Sequence, residues 1–140
     1  MPTIQSLLQP PIPTVPKVFG WILVVAGSFF AYIYMFSPGT FFPGVTISTY
    51  SEQFGLYSTG VRILAAVLGI IIALYFNSAA LLAVMLVMRV FVEVGDVIVG
   101  LVVNQGTPDA NTFTLLALAA IEIVMIVLLL KVLKKALIIN

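Results

Sequence analysis

Five ionisable side chains interrupt the long apolar stretches of this 140-residue chain. Two are arginines and three are carboxylic acids: Arg62, Arg89, Glu93, Asp96 and Glu122. Carboxyl groups donate or accept protons in acid–base catalysis, and arginines bind anionic groups or set the pKa values of neighbouring acids. We therefore predict that the three acids are catalytic and that the two arginines bind substrate or set the pKa values of the acids.

The spacing of these residues predicts that they lie close together. Arg89, Glu93 and Asp96 are separated by four and three residues, which places them on one face of a helix. Counting from the turns between helices puts Arg62, Glu93 and Glu122 at one depth, so three helices are expected to form one charged layer. Three acids against two arginines leave one surplus carboxyl, which could donate or accept a proton. The alternative is a buried salt-bridge network that only fixes helix register.

The composition predicts a membrane protein. Hydrophobic residues make up 62% of the chain and charged residues 8%, whereas a soluble domain carries about 25% charged residues. A soluble fold of this size could not bury so much apolar surface in one core. The net charge of +1, without a basic patch, gives no support to nucleic-acid binding.

The chain contains neither Cys nor His. This excludes disulfides, His-ligated haem and the usual zinc sites. We therefore predict no metal and no cofactor.

A membrane-spanning helix needs about 20 mostly apolar residues, and four segments meet this requirement. The sequence predicts an all-α membrane protein, a four-transmembrane-helix antiparallel bundle. The predicted helices cover residues 17–36, 59–76, 78–103 and 112–138, in a single domain over 17–140 that follows a Pro-rich segment over 1–16. Ser58 or Thr59 is expected to cap the second helix, and Asp109 or Asn111 the fourth.

The long connection over residues 37–58 is rich in aromatic residues. We predict that it lies in the membrane interface, where aromatic rings find both water and lipid, or that it forms a lid over a cavity. Its aromatic residues are Phe41, Phe42, Tyr50, Phe54 and Tyr57.

Small residues predict where helices approach closely. Ala65, Gly69 and Ala73 form a stripe on the second helix, and Gly20 and Gly27 lie on one face of the first. Such residues let membrane helices pack at short distance. Gly69 is therefore predicted to lie at a helix contact.

The lysines predict the orientation. Four spans place both termini on one side, together with Lys17, Lys131, Lys134 and Lys135. The opposite loops contain no basic residue. The excess of lysine predicts that both termini are cytoplasmic, in the inner (cell) membrane of a bacterium or archaeon.

Two short motifs carry a family resemblance. They are Tyr57-Ser58-Thr59-Gly60-Val61-Arg62 and Arg89-x3-Glu93-x2-Asp96. In these motifs and in its general plan the chain resembles the DoxX-like proteins and other small four-helix bacterial membrane families of unassigned function. The resemblance implies a four-helix membrane protein and assigns no functional residue.

Three functions remain open. The chain could bind or convert a lipophilic small molecule by acid–base chemistry, with the lipid bilayer as its surroundings. It could be an accessory subunit of a larger membrane complex. It could also be a proton-linked transporter or channel, for which a homo-oligomer would be needed because four helices enclose at best a narrow pore.

The predicted topology can be tested by cysteine labelling, because the chain has no native Cys. Cysteines introduced at Lys135 and Ser48 should react with an impermeant reagent from opposite sides of the membrane. Labelling of both from one side would rule out the predicted arrangement of spans.

Overall fold

The computed structural model describes residues 10–38, 49–108 and 110–139. These residues form four α-helices, which confirms the predicted all-helical class. The helices are α1 (Thr14–Phe36), α2 (Tyr50–Tyr75), α3 (Ala79–Val103) and α4 (Ala110–Ile139).

Helix α2 begins nine residues earlier than predicted, because a capping box starts it. The Thr49 hydroxyl accepts a hydrogen bond from the Glu52 amide, and the Glu52 carboxylate accepts one from the Thr49 amide. This reciprocal pair satisfies two backbone donors that a helix N-terminus otherwise leaves unpaired. The prediction of Ser58 or Thr59 as the N-cap was therefore wrong, and both residues lie inside the helix.

The predicted 37–58 connection is correspondingly shorter. Tyr50, Phe54 and Tyr57 belong to the first turns of α2, and the rings of Tyr50 and Phe54 stack with centroids 6.3 Å apart. Phe41 and Phe42 lie outside the described residues. The first part of α2 is thus a helix with exposed aromatic side chains rather than a loop.

The other predicted boundaries agree with the structure to within three residues, and the ends of α1 and α3 agree with it fully. Helix α1 begins at Thr14 and includes Pro16 in its first turn, where a missing N–H costs no helical hydrogen bond. Ser78 caps α3, and its hydroxyl accepts a hydrogen bond from the Leu81 amide. Asn111 lies within α4, and Asp109 is outside the described residues.

Each helix packs against the next one along the chain. The α1–α2 and α3–α4 contacts are the most extensive, α2 and α3 join these two pairs, and α1 meets α4 only sparsely. The N-terminal segment reaches the α2–α3 turn, where the Ala79 amide donates to the Pro10 carbonyl and Lys17 donates to the Asn77 side chain. The start of α1 and the α2–α3 turn therefore lie at the same end of the molecule.

Glycines allow the close approach of α2 to its neighbours. A Cβ atom at Gly27 would lie 2.6 Å from Cγ2 of the buried Val67. A Cβ atom at Gly69 would overlap the Met85 side chain, which confirms the predicted contact at Gly69. Ala73 is fully buried, but Ala65 is exposed, so only part of the predicted stripe packs.

Three helices in the described part of the chain are long and apolar enough to cross a membrane. They cover Thr14–Phe36, Tyr50–Tyr75 and Asn111–Ile138, and at most 33% of the most apolar stretch in each is buried. Any stretch of α3 of about 20 residues includes Arg89, Glu93 and Asp96, which sets α3 apart by composition. The large uncovered apolar surface suggests a membrane location.

Replacing Gly27 with Leu should weaken the α1–α2 contact. Val67 is stiff because it is β-branched, so it cannot turn away from the new side chain. We expect a loss of roughly 1–3 kcal/mol in unfolding free energy, measured in detergent. The matched change Gly95→Leu in α3 should be tolerated, because no described atom lies within 4 Å of its Cβ position. Equal losses at both positions would contradict the packing described for α1 and α2.

Candidate functional site

Helix α3 supplies the central group of the site, the guanidinium of Arg89. Because Arg89 and Glu93 are one helical turn apart, their side chains meet on the same face. The Nη2 atom of Arg89 donates to Glu93 Oε1 at 2.6 Å. The Nε atom of Arg89 donates to Oε1 of Glu122 on α4, also at 2.6 Å. One guanidinium therefore holds two carboxyl groups and joins two helices.

The cluster of Arg89, Glu93 and Glu122 is buried. The Glu122 side chain is fully buried, and those of Glu93 and Arg89 are 7% and 15% exposed. Truncating one partner of such a buried ion pair is strongly destabilising, because it leaves a charge without compensation. The cluster therefore favours the one arrangement of α3 and α4 in which Arg89 meets Glu122.

The cluster is not fully satisfied by its own members. With both acids ionised, one arginine and two carboxylates carry a net charge of −1. Glu93 Oε2 and Glu122 Oε2 are buried and have no hydrogen-bond partner among the described residues. One proton shared between Glu93 and Glu122, whose side chains lie within hydrogen-bond reach of each other, would remove the excess charge. A ligand with hydrogen-bond donors would satisfy the free oxygen atoms without changing the charge.

The other two predicted residues form a separate pair. Arg62 Nη2 donates to Asp96 Oδ2 at 2.9 Å, and their side chains are 46% and 36% exposed. The ion pairs thus divide the predicted layer, since Arg62 pairs with Asp96 whereas Glu93 and Glu122 pair with Arg89. Along α3, Asp96 follows Glu93 by three residues and Arg89 by seven, which is roughly 5 Å and 10 Å.

Two residues at the same depth in a helix bundle need not have side chains that point towards each other. Counting residues from the turns gave similar levels for Arg62 and Glu93, but an ion pair also requires that the two side chains point towards each other. Glu93 is buried against Arg89 on its own helix, whereas Arg62 reaches the half-exposed Asp96. Counting from the turn favours Glu93, fifteen residues after Ser78, over Asp96, eighteen residues after it, so residue counting could not predict this pairing.

An apolar layer separates the cluster from the α2–α3 turn. Moving from Arg89 towards that turn, the next buried polar side chain in the described chain is Ser78, eleven residues earlier and roughly 16 Å away. The space between is filled by fully or almost fully buried apolar side chains, namely Val67, Ile70, Leu82, Leu86 and Leu129. On the opposite side the cluster is followed by the half-exposed Arg62–Asp96 pair. The polar groups thus lead to one end of the molecule only.

No family model, no curated protein and no solved structure matches this chain. The resemblance to the DoxX-like proteins stays a prediction. The described residues also contain no group of three or more acidic side chains placed to hold a metal ion. The fold and site thus define an all-helical protein with three candidate membrane spans and a buried arginine–glutamate cluster.

Replacing Arg89 and replacing Arg62 should have very different effects on stability. Arg89→Met leaves two buried carboxyl groups without their partner, and we expect a loss of roughly 3–5 kcal/mol. Arg62→Met leaves only the half-exposed Asp96 carboxylate unpaired, which water or detergent headgroups can reach, so its loss should be clearly smaller than that of Arg89→Met. Unfolding in detergent measures both.

A neutral version of the cluster is the control for this experiment. Combining Arg89→Met with Glu93→Gln and Glu122→Gln removes all charge from the cluster and should recover part of the lost stability. If Arg62→Met is as harmful as Arg89→Met, the two ion-pair groups are not separate as described.

Proposed function

We propose that the chain is an integral membrane protein in which all four helices span the bilayer as one bundle. Three helices qualify by length and composition alone. Charged groups are expensive within a bilayer unless they pair or face the bundle interior. In α3 all three are paired: Arg89 and Glu93 with each other inside the protein, and Asp96 with Arg62. This pairing supports α3 as the fourth span.

The distribution of lysines supports a cytoplasmic location for both termini. Lys17 lies at the end that contains the α2–α3 turn. Helix α4 runs from Glu122 towards that same end, with Lys131, Lys134 and Lys135 in its last turns. We accordingly place the Arg62–Asp96 pair towards the outer surface of a bacterial or archaeal cell membrane.

We further propose that the Arg89–Glu93–Glu122 cluster binds or converts a lipophilic small molecule by acid–base chemistry. The observation that carries this proposal is the pair of buried carboxyl oxygens, Glu93 Oε2 and Glu122 Oε2, without partners among the described residues. Leaving such atoms unpaired has a free-energy cost, so they favour a role that supplies a donor. Isomerisation, hydration and cyclisation are the candidate reactions, because they need no cofactor.

In this proposal the residues have distinct roles. Glu93 and Glu122 are the groups that exchange a proton with the bound molecule or receive its hydrogen-bond donors. Arg89 holds both carboxyl groups in position through two hydrogen bonds. Arg62 and Asp96, half-exposed at the outer side of the cluster, would contact a polar group of a molecule that approaches from there.

A proton-linked transporter or channel is less well supported for a single chain. The apolar layer between Arg89 and Ser78 contains no buried polar side chain among the described residues. A proton or ion path through one subunit would need polar groups across this layer. An oligomer could provide such a path only between subunits.

The role of an accessory subunit has one observation in its favour. The Arg62–Asp96 pair lies on the surface of the chain rather than inside it. Within a larger complex this pair could contact a partner helix. It is therefore the second candidate function.

The proposed binding function can be tested by replacing each buried acid with its amide. The protein would be purified in nanodiscs from native membranes, and the retained lipophilic compounds identified by mass spectrometry. Glu93→Gln and Glu122→Gln should each lose a compound that the unmodified protein retains, because each removes the charge or proton of one carboxyl group. Circular dichroism would verify that the helices remain.

Glu52→Gln is the matched control, since glutamine also completes a capping box and Glu52 is outside the cluster. It should retain the compound. If all variants retain the same compounds, the proposed site is wrong. If instead a co-purified protein is lost from Arg62→Gln and Asp96→Asn, the chain is an accessory subunit.

A further inference from the structure

Two carboxyl groups share one edge of the Arg89 guanidinium. The nitrogen atoms of that edge, Nε and Nη2, commonly bind both oxygen atoms of a single carboxylate. Here Nε donates to Oε1 of Glu122 and Nη2 donates to Oε1 of Glu93, each at 2.6 Å. The two carboxyl groups are consequently within hydrogen-bond reach of each other. Two ionised carboxylates this close repel each other strongly where water does not screen them.

A single proton fits this arrangement. With one carboxyl group protonated, the cluster is electrically neutral, and the O–H group of one acid can donate to the other. The buried atoms Glu93 Oε2 and Glu122 Oε2, which have no partner among the described residues, offer positions for the proton. Because Glu93 belongs to α3 and Glu122 to α4, the resulting hydrogen bond would join the two helices, in addition to the bond from Arg89.

Few other titratable groups face the two acids. Helix α3 contributes Arg89 and, one turn further on, Asp96, while α2 contributes Arg62, which binds Asp96. The other titratable residues of α4 are lysines nine or more residues beyond Glu122. Among the described residues, Arg89 is thus the cation that is bonded to both acids. In α1 the titratable residues are Lys17 at the far end, the exposed Tyr32, and Tyr34, which lines a cavity with the start of α2.

Protons can reach the cluster from one end of the molecule. On the side of the α2–α3 turn, buried apolar side chains fill roughly 16 Å between Arg89 and Ser78. On the other side, Asp96 follows Glu93 by three residues, and its side chain is 36% exposed. Asp96 can therefore pass protons between water and the buried acids, whereas the apolar layer cannot.

We propose that Glu93 and Glu122 hold one shared proton at neutral pH and exchange it only with the side of the membrane that the Arg62–Asp96 pair faces. Loss of this proton leaves two negative charges at one guanidinium and removes a hydrogen bond between α3 and α4. The contact between these helices would therefore respond to the pH on one side, which is the outer side in the proposed orientation. The inference rests on the proposed membrane location and not on the binding of a lipophilic molecule.

Infrared spectroscopy of the purified protein tests the shared proton, because a protonated carboxyl group has a C=O stretching band that a carboxylate lacks. The unmodified protein should show this band at neutral pH and lose it as the pH rises. Glu93→Gln and Glu122→Gln should each lack the band, because either change leaves one carboxylate for one arginine. Asp96→Asn is the matched control and should keep the band, since this acid lies outside the cluster.

Three infrared results would overturn the shared proton. Absence of the band from the unmodified protein would mean that both acids are ionised. A band that only one of the two Glu→Gln variants removes would place the proton on a single acid. Loss of the band from Asp96→Asn would assign the proton to Asp96.

Unfolding in detergent tests whether the proton stabilises the fold. If the folded protein binds one proton that the unfolded chain releases, the unfolding equilibrium constant should rise by up to about tenfold per pH unit as the pH approaches the value at which the band is lost. Glu93→Gln and Glu122→Gln should lose this dependence, and Asp96→Asn should keep it. If the two glutamate variants keep it, the packing of α3 against α4 does not respond to the proton.

Sealed proteoliposomes test one-sided exchange. The fraction of molecules with Lys135→Cys protected from an impermeant thiol reagent is the fraction whose Arg62–Asp96 pair faces outwards. Raising only the external pH should remove the infrared band from that fraction alone, and a proton ionophore should then remove it from the rest. Loss of the whole band before the ionophore is added would show that the apolar layer is no barrier. The binding of a lipophilic molecule is judged by the retained compounds, so it can fail or succeed separately.

Discussion

The structure depends most on the need to pair the charge of Arg89 away from water. Its guanidinium donates hydrogen bonds to Glu93 on its own helix and to Glu122 on α4. In a low-dielectric environment a charge without partners is far more costly than one at a surface, so these bonds dictate the relative rotation of α3 and α4. The same two helices also pack extensively against each other. Arg89 thus belongs to the candidate site and also joins α3 to α4.

Close packing at glycines joins α1 and α2, whereas a charged cluster joins α3 and α4. Gly27 lets α1 approach the buried Val67, and Leu74 packs against Gly20 nearer the α2–α3 turn. Without a hydrophobic driving force between helices in lipid, such van der Waals contacts are a main source of association. The molecule is therefore two helix pairs held by different forces. The sparse contact of α1 with α4 is where they leave a groove.

The two ends of the molecule offer different chemistry. At one end the polar groups extend from Glu122 through Arg89 to the half-exposed Arg62–Asp96 pair. At the other end, an apolar core layer is followed by Lys17 of α1 and by the three lysines in the last turns of α4. In the proposed orientation a lipophilic molecule would reach the acids from the outer side. The apolar layer keeps the two regions separate.

The sequence alone determined the helical class, the approximate helices and the residues of the candidate site, because apolar length and isolated charges are local properties of the chain. It also indicated that α3 presents Arg89, Glu93 and Asp96 on one face. Only the tertiary structure decided which arginine pairs with which acid, since that depends on how helices rotate about their axes. The Thr49-x-x-Glu52 capping box indicates the early start of α2. The glycines and hydroxyl residues that follow it have low helix propensity and therefore favoured a later start. The groove between α1 and α4 could not be read at all, because it arises from two helices that are distant in sequence and fail to pack tightly.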